Sequence, residues 1–289
     1  MPDDDLIYPQ RGLTKGDLRT YYEAVAQALI RHAAGRPLSM QRVRDDVVFY
    51  QQRAPKRRPA AVHVVRTATQ SVGPIDHLTC DNLTTVRLLA NLRCVGVHCW
   101  SSRRNHLERP DWMVFDLDPP KADGDGFAKA KHTAVVLRER LEDAGLRPFL
   151  KTSGSTGLHV IVPIQPELKF DSVRAVARRF AEDVTATHPD LTTLAQRKAK
   201  RGNRVFLDVL RNAWGQTVVA AYSPRMRPEA SVSTPIAWSE LDSLPSSRAF
   251  DLTSVPKRLR EAGDPWSGMA RRRRSLRSLG LAPRSAANH

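Results

Sequence analysis

The sequence predicts an α+β fold, on three observations. Short apolar runs are cut off by proline, at residues 112–118 before Pro119 and, in a β-branched stretch, at 158–162 before Pro163. Amphipathic helical stretches separate the strand-like runs in a βα-ββ-α-ββ order, which fits a sheet of the RNA-recognition type. The chain has 289 residues and is 41% hydrophobic, enough for one large domain or two small ones with a sizeable core.

The elements follow in chain order. Thr14 and Asp17 form a capping box with Asp in place of Glu, and Leu18, Tyr21, Tyr22, Val25 and Leu29 then recur at helical spacing. Gly35 and Pro37 close that helix. Residues 47–52 and 61–66 read as short strands. The basic turn between them, 56–59, is either a phosphate contact or a solvated loop. Residues 83–92 read as a helix and 95–100 as a strand. The Asp-Gly-Asp-Gly loop at 123–126 is too short for a calcium-binding EF-hand and reads as a turn into a helix ending near Ala144. A strand, a serine-glycine turn, a second strand and a helix over 171–187 come next. A basic connector, 198–203, enters a strand carrying Asp208, and 217–221 is expected as its hairpin partner. No internal repeat is present. The sequence thus divides into a domain over 1–265 and a basic tail over 266–289. The arginine run at 271–277 predicts that the tail is disordered, and its functional reading is a nonspecific DNA tether.

Composition narrows the function. The net charge is +16, which calls for an acidic partner, and nucleic acid is the foremost one. Genomic base composition accounts for part of the preference for arginine (36) over lysine (10), but not for the excess of bases over 30 acids. No apolar run reaches the roughly 18 residues of a membrane span, and the acidic N-terminus lacks a signal-peptide core. Cys80, Cys94 and Cys99 form no Cys-x-x-Cys pair, so neither a disulfide framework nor a zinc site is expected. The expected compartment is the cytoplasm, in association with the nucleoid.

Three blocks carry chemistry. In Trp-Met-Val-Phe-Asp-Leu-Asp-Pro-Pro (112–120), strand alternation places Asp116 and Asp118 on one face and Leu117 on the other. Adjacent carboxylates repel, and a hard divalent cation is the usual compensation, although a bare Asp-x-Asp is also commonly two solvated acids. Residues 151–163 hold a glycine turn rich in hydroxyls, Ser-Gly-Ser-Thr-Gly (153–157), followed by a strand containing His159. Glycines let backbone N–H groups approach an anion. No Gly-Lys-Ser/Thr ending is present, so this is not a Walker loop. In residues 204–212, Asp208 sits within an apolar run, which requires a metal or an arginine partner. Three strand-borne aspartates, a phosphate-type turn and an adjacent histidine form an inventory for two-metal phosphoryl transfer.

In these blocks the chain resembles the polymerase domain of bacterial ATP-dependent DNA ligase D, in the archaeo-eukaryotic primase superfamily. Further matching segments are Leu6-Ile-Tyr-Pro, Thr14-Lys-Gly-Asp, Tyr21-Tyr22, Gly35-Arg-Pro, Ala221-Tyr-Ser-Pro-Arg225 and residues 234–241. The resemblance spans residues 5–262. It implies two mainly antiparallel sheets around a central active cleft with helices outside. It implies a nucleotidyltransferase that extends nucleic-acid 3′ ends in gap or break repair, with ribonucleotides preferred and two Mn²⁺ or Mg²⁺ ions. It assigns Asp116, Asp118 and Asp208 to the metals, and Ser153, Thr156, His159, His98 and Arg225 to the nucleoside triphosphate. Lys15, Phe49 and Tyr50 are assigned to DNA.

This sequence also departs from the pattern. Thr156 stands where the turn usually carries lysine, and Asp5 and Gln41 stand where bases hold a 5′-phosphate. Implied partners are gapped, nicked or broken DNA, NTP or dNTP, and a separate ligase and Ku protein acting with a monomer. The rival readings are a DNA-end-binding module with a weakened active site and a metal-dependent glycosyltransferase. The latter predicts neither Asp208 nor the basic surface.

Overall fold

The structure is a computed structural model that describes residues 3–44, 47–68, 73–120 and 124–283. Asp123 of the expected glycine-aspartate turn and residues 284–289 of the expected tail lie outside the described residues. The elements in order are β1 (Leu6–Tyr8), β2 (Leu13–Thr14), α1 (Lys15–Ala33), β3 (Leu38–Arg44), β4 (Val47–Gln51), β5 (Val64–Thr67), β6 (Ile75–Leu78), α2 (Leu83–Asn91) and β7 (Cys94–Cys99). Then come β8 (Trp112–Asp118), α3 (Gly126–Asp143), β9 (Phe149–Thr152), β10 (Leu158–Pro163), α4 (Phe170–Thr187), β11 (Thr192–Thr193) and β12 (Val205–Asp208). The chain closes with β13 (Val218–Val219), β14 (Ser223–Pro224), β15 (Val232–Ser233), β16 (Pro235–Ile236) and α5 (Ser254–Ala262). This is the α+β class read from the sequence.

The chain divides into two compact units. The first comprises Met1–Asn105, Lys151–Thr156 and Thr217–Ser267, and the second comprises His106–Leu150, Gly157–Gln216 and Gly268–His289.

In the first unit α1 starts where the capping box dictates. Thr14 Oγ1 accepts from the Asp17 N–H at 3.2 Å, and Asp17 Oδ2 accepts from the Thr14 N–H at 2.8 Å. Leu18, Tyr21, Tyr22, Val25 and Leu29 are all buried, as their spacing requires. An antiparallel sheet runs β13-β7-β3-β4. Strand β3 lies in a stretch where Ser39, Gln41, Arg42 and Arg44 dilute the apolar signal. The expected pairing of residues 217–221 with the Asp208 strand is corrected: Val218 and Val219 pair with Cys99 and His98 of β7. Proximity in sequence suggested a hairpin, but the β7 edge supplies the hydrogen bonds.

In the second unit β8 is central, with β10 antiparallel on one side and β12 antiparallel on the other, and β11 lies parallel beyond β12. Helices α3 and α4 pack on this sheet. Residues 112–115 and Leu117 are buried, so β8 is anchored by its apolar residues while its C-terminal aspartates stay partly accessible.

The expected disordered tail is also corrected over its described part. Residues 269–272 form a short 3₁₀ turn, and Met269 and Leu276 are buried. Arg273 is not a solvated charge but pairs with the fully buried Asp111 at 2.7 Å. Charge count alone misread a segment whose buried apolar residues and acid partners hold it in place. Among the described residues no helix is long and apolar enough to cross a membrane, and Cys80, Cys94 and Cys99 are buried and form no disulfide.

Candidate active site

The second unit gathers the acids by strand register. Asp116 on β8 lies opposite Asp208 on β12 and opposite His159 on β10. Three adjacent strands therefore deliver three candidate side chains at one level of the sheet. His159 Nε2 is 3.2 Å from Asp116 Oδ1. Asp118 lies two residues further along β8, opposite Phe206. The close approach of β10 to β8 depends on Gly157, because a Cβ there would sit 1.9 Å from the Leu117 carbonyl oxygen, between the two aspartates.

This centre carries an excess of negative charge. Burial, then the neighbouring Asp116 carboxylate, pushes Asp118 up to about 6. Burial also raises Asp208, against a lowering hydrogen bond that the Leu210 N–H donates to its Oδ1 at 2.7 Å. Two arginines that the sequence did not assign to the site partly offset the charge. Arg211 Nε lies 3.6 Å from Asp116 and 3.8 Å from Asp208, and Arg201 lies 3.9 Å from Asp118 with its guanidinium stacked 3.8 Å over Phe206. The signal for Arg211 was its place three residues after Asp208, just past the strand end.

No three His, Cys, Asp or Glu side chains among the described residues are drawn tightly enough together to ligate one ion as they stand. The donor set nevertheless suits divalent cations: all-oxygen, three carboxylates on adjacent strands, with two pKa values raised by burial and by the neighbouring carboxylates.

The serine-glycine turn lies in the first unit and is tightly built. Gly154 has φ +64°, and a Cβ on it would meet Arg225 Cγ and the Val232 carbonyl carbon at 2.8 Å each. The turn and Arg225 are thereby held side by side. Ser153 Oγ lies 3.1 Å from Ser247 Oγ and accepts from the Ser155 N–H at 3.2 Å. Arg227 donates to Ser155 Oγ at 2.5 Å, and Arg248 donates to the Ser155 carbonyl at 2.8 Å while pairing with Glu229. Buried Lys151 donates to Ser233 Oγ at 2.6 Å. Thr156 is exposed at the end of the turn. Arg227 and Arg248 were missed because their positions lie outside the quoted motifs. They bring positive charge to a turn that itself contains none.

The remaining first-unit candidates are spread over two places. His98 on β7 is half-buried, and its ring meets the Tyr50 ring edge to face, with centroids 5.7 Å apart. Phe49 lies under the Arg42 guanidinium, 5.4 Å from ring centroid to cation. Tyr50 is 61% exposed on β4, an edge strand. Lys15 is only 8% exposed and lies 3.5 Å from Asp3 at the start of α1.

Comparison with known proteins gives a consistent picture. Residues 14–266 match the family model for the LigD primase-polymerase domain. The chain is 32% identical over 278 residues to the multifunctional non-homologous end joining protein LigD of Pseudomonas aeruginosa, covering 94% of this chain and 32% of that protein. It is 27% identical over 267 residues to the bifunctional non-homologous end joining protein LigD of Bacillus subtilis, covering 91% of this chain and 42% of that one. The chain thus spans about a third to two fifths of the curated relatives it matches. The polymerase domain of Mycobacterium tuberculosis ligase D, solved in complex with DNA, superposes with a TM-score of 0.85 at 28% identity, covering 98% of each chain.

Proposed function

Because the chain belongs to the LigD primase-polymerase family, we propose that it is a nucleotidyltransferase that adds nucleotides to DNA 3′ ends at gaps and breaks. The observation that carries this reading is the register that sets Asp116 between Asp208 and His159 on three adjacent strands. Family membership removes the glycosyltransferase alternative.

In this reading the 3′-hydroxyl of a primer attacks the α-phosphorus of a nucleoside triphosphate, and pyrophosphate leaves. Asp116, Asp118 and Asp208 hold divalent ions, manganese or magnesium. Such ions neutralise the triphosphate and ease loss of the hydroxyl proton. His159 donates to the triphosphate and is oriented by Asp116 on the neighbouring strand. Ser153, with Arg225 held beside its turn, binds phosphate oxygens, and the planar fork of Arg225 suits the charge that grows on the leaving pyrophosphate. His98 lies by the incoming nucleotide, and Tyr50 and Phe49 offer ring faces to bases with little regard to sequence. Ribonucleotides are the preferred substrates.

The test is extension of a labelled primer across a short gap, with Mn²⁺ or Mg²⁺ and each of the ribo- and deoxynucleotides supplied separately. Ribonucleotide addition that outpaces deoxynucleotide addition supports the reading. Faster deoxynucleotide addition with both ions would overturn the sugar preference.

A further inference from the structure

The arginine run near the C-terminus is absorbed neither by the active site nor by the matched family region, which stops at residue 266. Its backbone is fastened to the second unit at several points. The Arg274 N–H donates to the Pro163 carbonyl at 3.3 Å, and the Gln165 N–H donates to the Arg274 carbonyl at 2.9 Å. Ser275 Oγ and the Arg277 N–H both donate to the Glu167 carboxylate, at 2.9 and 2.8 Å. Arg273 reaches inward to Asp111, Leu276 is buried, and Arg179 donates to the Leu281 carbonyl.

The other four arginines face outward. Arg271, Arg272, Arg274 and Arg277 are exposed, and among the described residues their side chains make no ion pair or hydrogen bond. That differs from the helix surfaces of the same unit, where Arg138 pairs with Glu142 and Arg178 with Glu182 one turn away. Here Asp111 holds the Arg273 side chain and Glu167 holds the Ser275 hydroxyl and the Arg277 N–H, and the outward charge is left uncompensated on a fixed support.

We propose that this anchored strap is a second nucleic-acid contact, which grips the phosphate backbone of duplex DNA away from the catalytic acids. It rests on the reading that the protein works on DNA. Fixing the segment in advance removes an ordering cost that a disordered tether would bear on binding. Duplex is favoured over single strands because residues 268–283 contain no aromatic side chain on which bases could stack. A guanidinium row can still read the dense phosphate charge of a double helix without regard to sequence. The strap meets β10 at its Pro163 end, four residues from His159. At strand rise that is roughly 13 Å along the strand from the level of the acid centre.

Truncation is a poor probe, because it would also remove Leu276 and expose Asp111. The experiment is fluorescence anisotropy of the full-length protein with a labelled blunt duplex across a salt series. It compares wild type with the quadruple variant R271Q/R272Q/R274Q/R277Q, which leaves Arg273 and the anchors intact. We expect the quadruple variant to lower the magnitude of the log Kd against log salt slope by about two to four, at about 0.9 per lost phosphate contact. The doubles R271Q/R272Q and R274Q/R277Q should each give about half of that, and they decide the matter if the quadruple variant does not fold. An unchanged duplex slope, or a loss confined to single-stranded DNA, overturns the proposal. Nucleotide addition by the wild type is read separately, so its failure would sink the polymerase reading and leave the slope comparison intact.

Discussion

At the scale of single residues, the acid centre stores unfavourable charge. Asp118 takes up its proton near pH 6 in the folded chain and near the ordinary 3.8 when unfolded. Because the folded-state value is the higher one, ionisation costs the fold stability. The penalty is absent below about pH 4, grows as pH rises toward 6, and is fully present above. Asp118→Asn should therefore stabilise the protein in chelator at pH 7. We expect a gain of about 1 kcal/mol, less than the full pKa displacement implies, because 43% of the side-chain surface stays in water. Manganese should raise the wild-type melting temperature more at pH 7.5 than at pH 5 and do little for the variant. A variant less stable than wild type at pH 7 would contradict this. In the proposed function Arg225 is a phosphate-binding residue. Loss of a charge-assisted hydrogen bond of about 1.5–3 kcal/mol in Arg225→Ala should reduce kcat/KM roughly 10- to 150-fold. Part of the loss should fall on KM and part on kcat, since the contact strengthens as charge develops. Steady-state kinetics with unaltered values would remove Arg225 from the site.

At the scale of elements, legibility followed the strength of the local signal. The capping box and the spacing of Tyr21, Tyr22 and Val25 marked α1, and alternation correctly set Asp116 and Asp118 opposite Leu117. Strand β3 escaped because four of its seven residues are polar, although Leu38 and Met40 anchor it. Val218 and Val219 were given the wrong partner, since strand pairing is decided by tertiary edges and not by nearness in sequence. Arg201 was invisible as a site residue because strand register brings Asp118 to it, and Arg211 showed only its place three residues after Asp208. One element junction is open to test. Asp264, after α5, is 5% exposed at its side chain and is held by His32 at 2.8 Å, Arg31 at 2.9 Å and the Tyr222 hydroxyl at 2.7 Å. Burial raises its pKa, but the hydrogen bond and charge of His32, with the Tyr222 and Trp266 hydrogen bonds, outweigh burial and bring it to about 2. This depressed value contributes stability above about pH 4 that is lost as pH falls through 2. Asp264→Ala should cost about 3–5 kcal/mol by leaving His32 and Tyr222 without their shared partner. A denaturant midpoint within error of wild type would refute that.

At the scale of the whole molecule, the +16 charge is distributed by role. Some arginines brace the serine turn, some balance the aspartates, and four stand outward on the C-terminal strap. Those near the N-terminus are largely engaged within the fold. Arg19 pairs with Asp3, Arg11 with Asp251, Arg93 with Asp5, and Arg42 donates to the Leu92 carbonyl and Gln51. Lys15 is nearly buried beside Asp3. A downstream 5′-phosphate should therefore tighten binding to a gapped duplex by about tenfold or less relative to a 5′-hydroxyl. A hundredfold preference would show that one of these arginines leaves its partner for the phosphate. The central claim is that Asp116, Asp118 and Asp208 form one centre for nucleotidyl transfer. Single-turnover nucleotide addition on a gapped duplex, at protein concentrations that saturate the DNA, tests it most directly. We predict that wild type extends the primer with Mn²⁺ or Mg²⁺. Asp116→Ala, Asp118→Ala and Asp208→Ala should each lose at least about a thousandfold in rate while binding the duplex as wild type does. Wild-type-like extension by any one of the three would contradict the account.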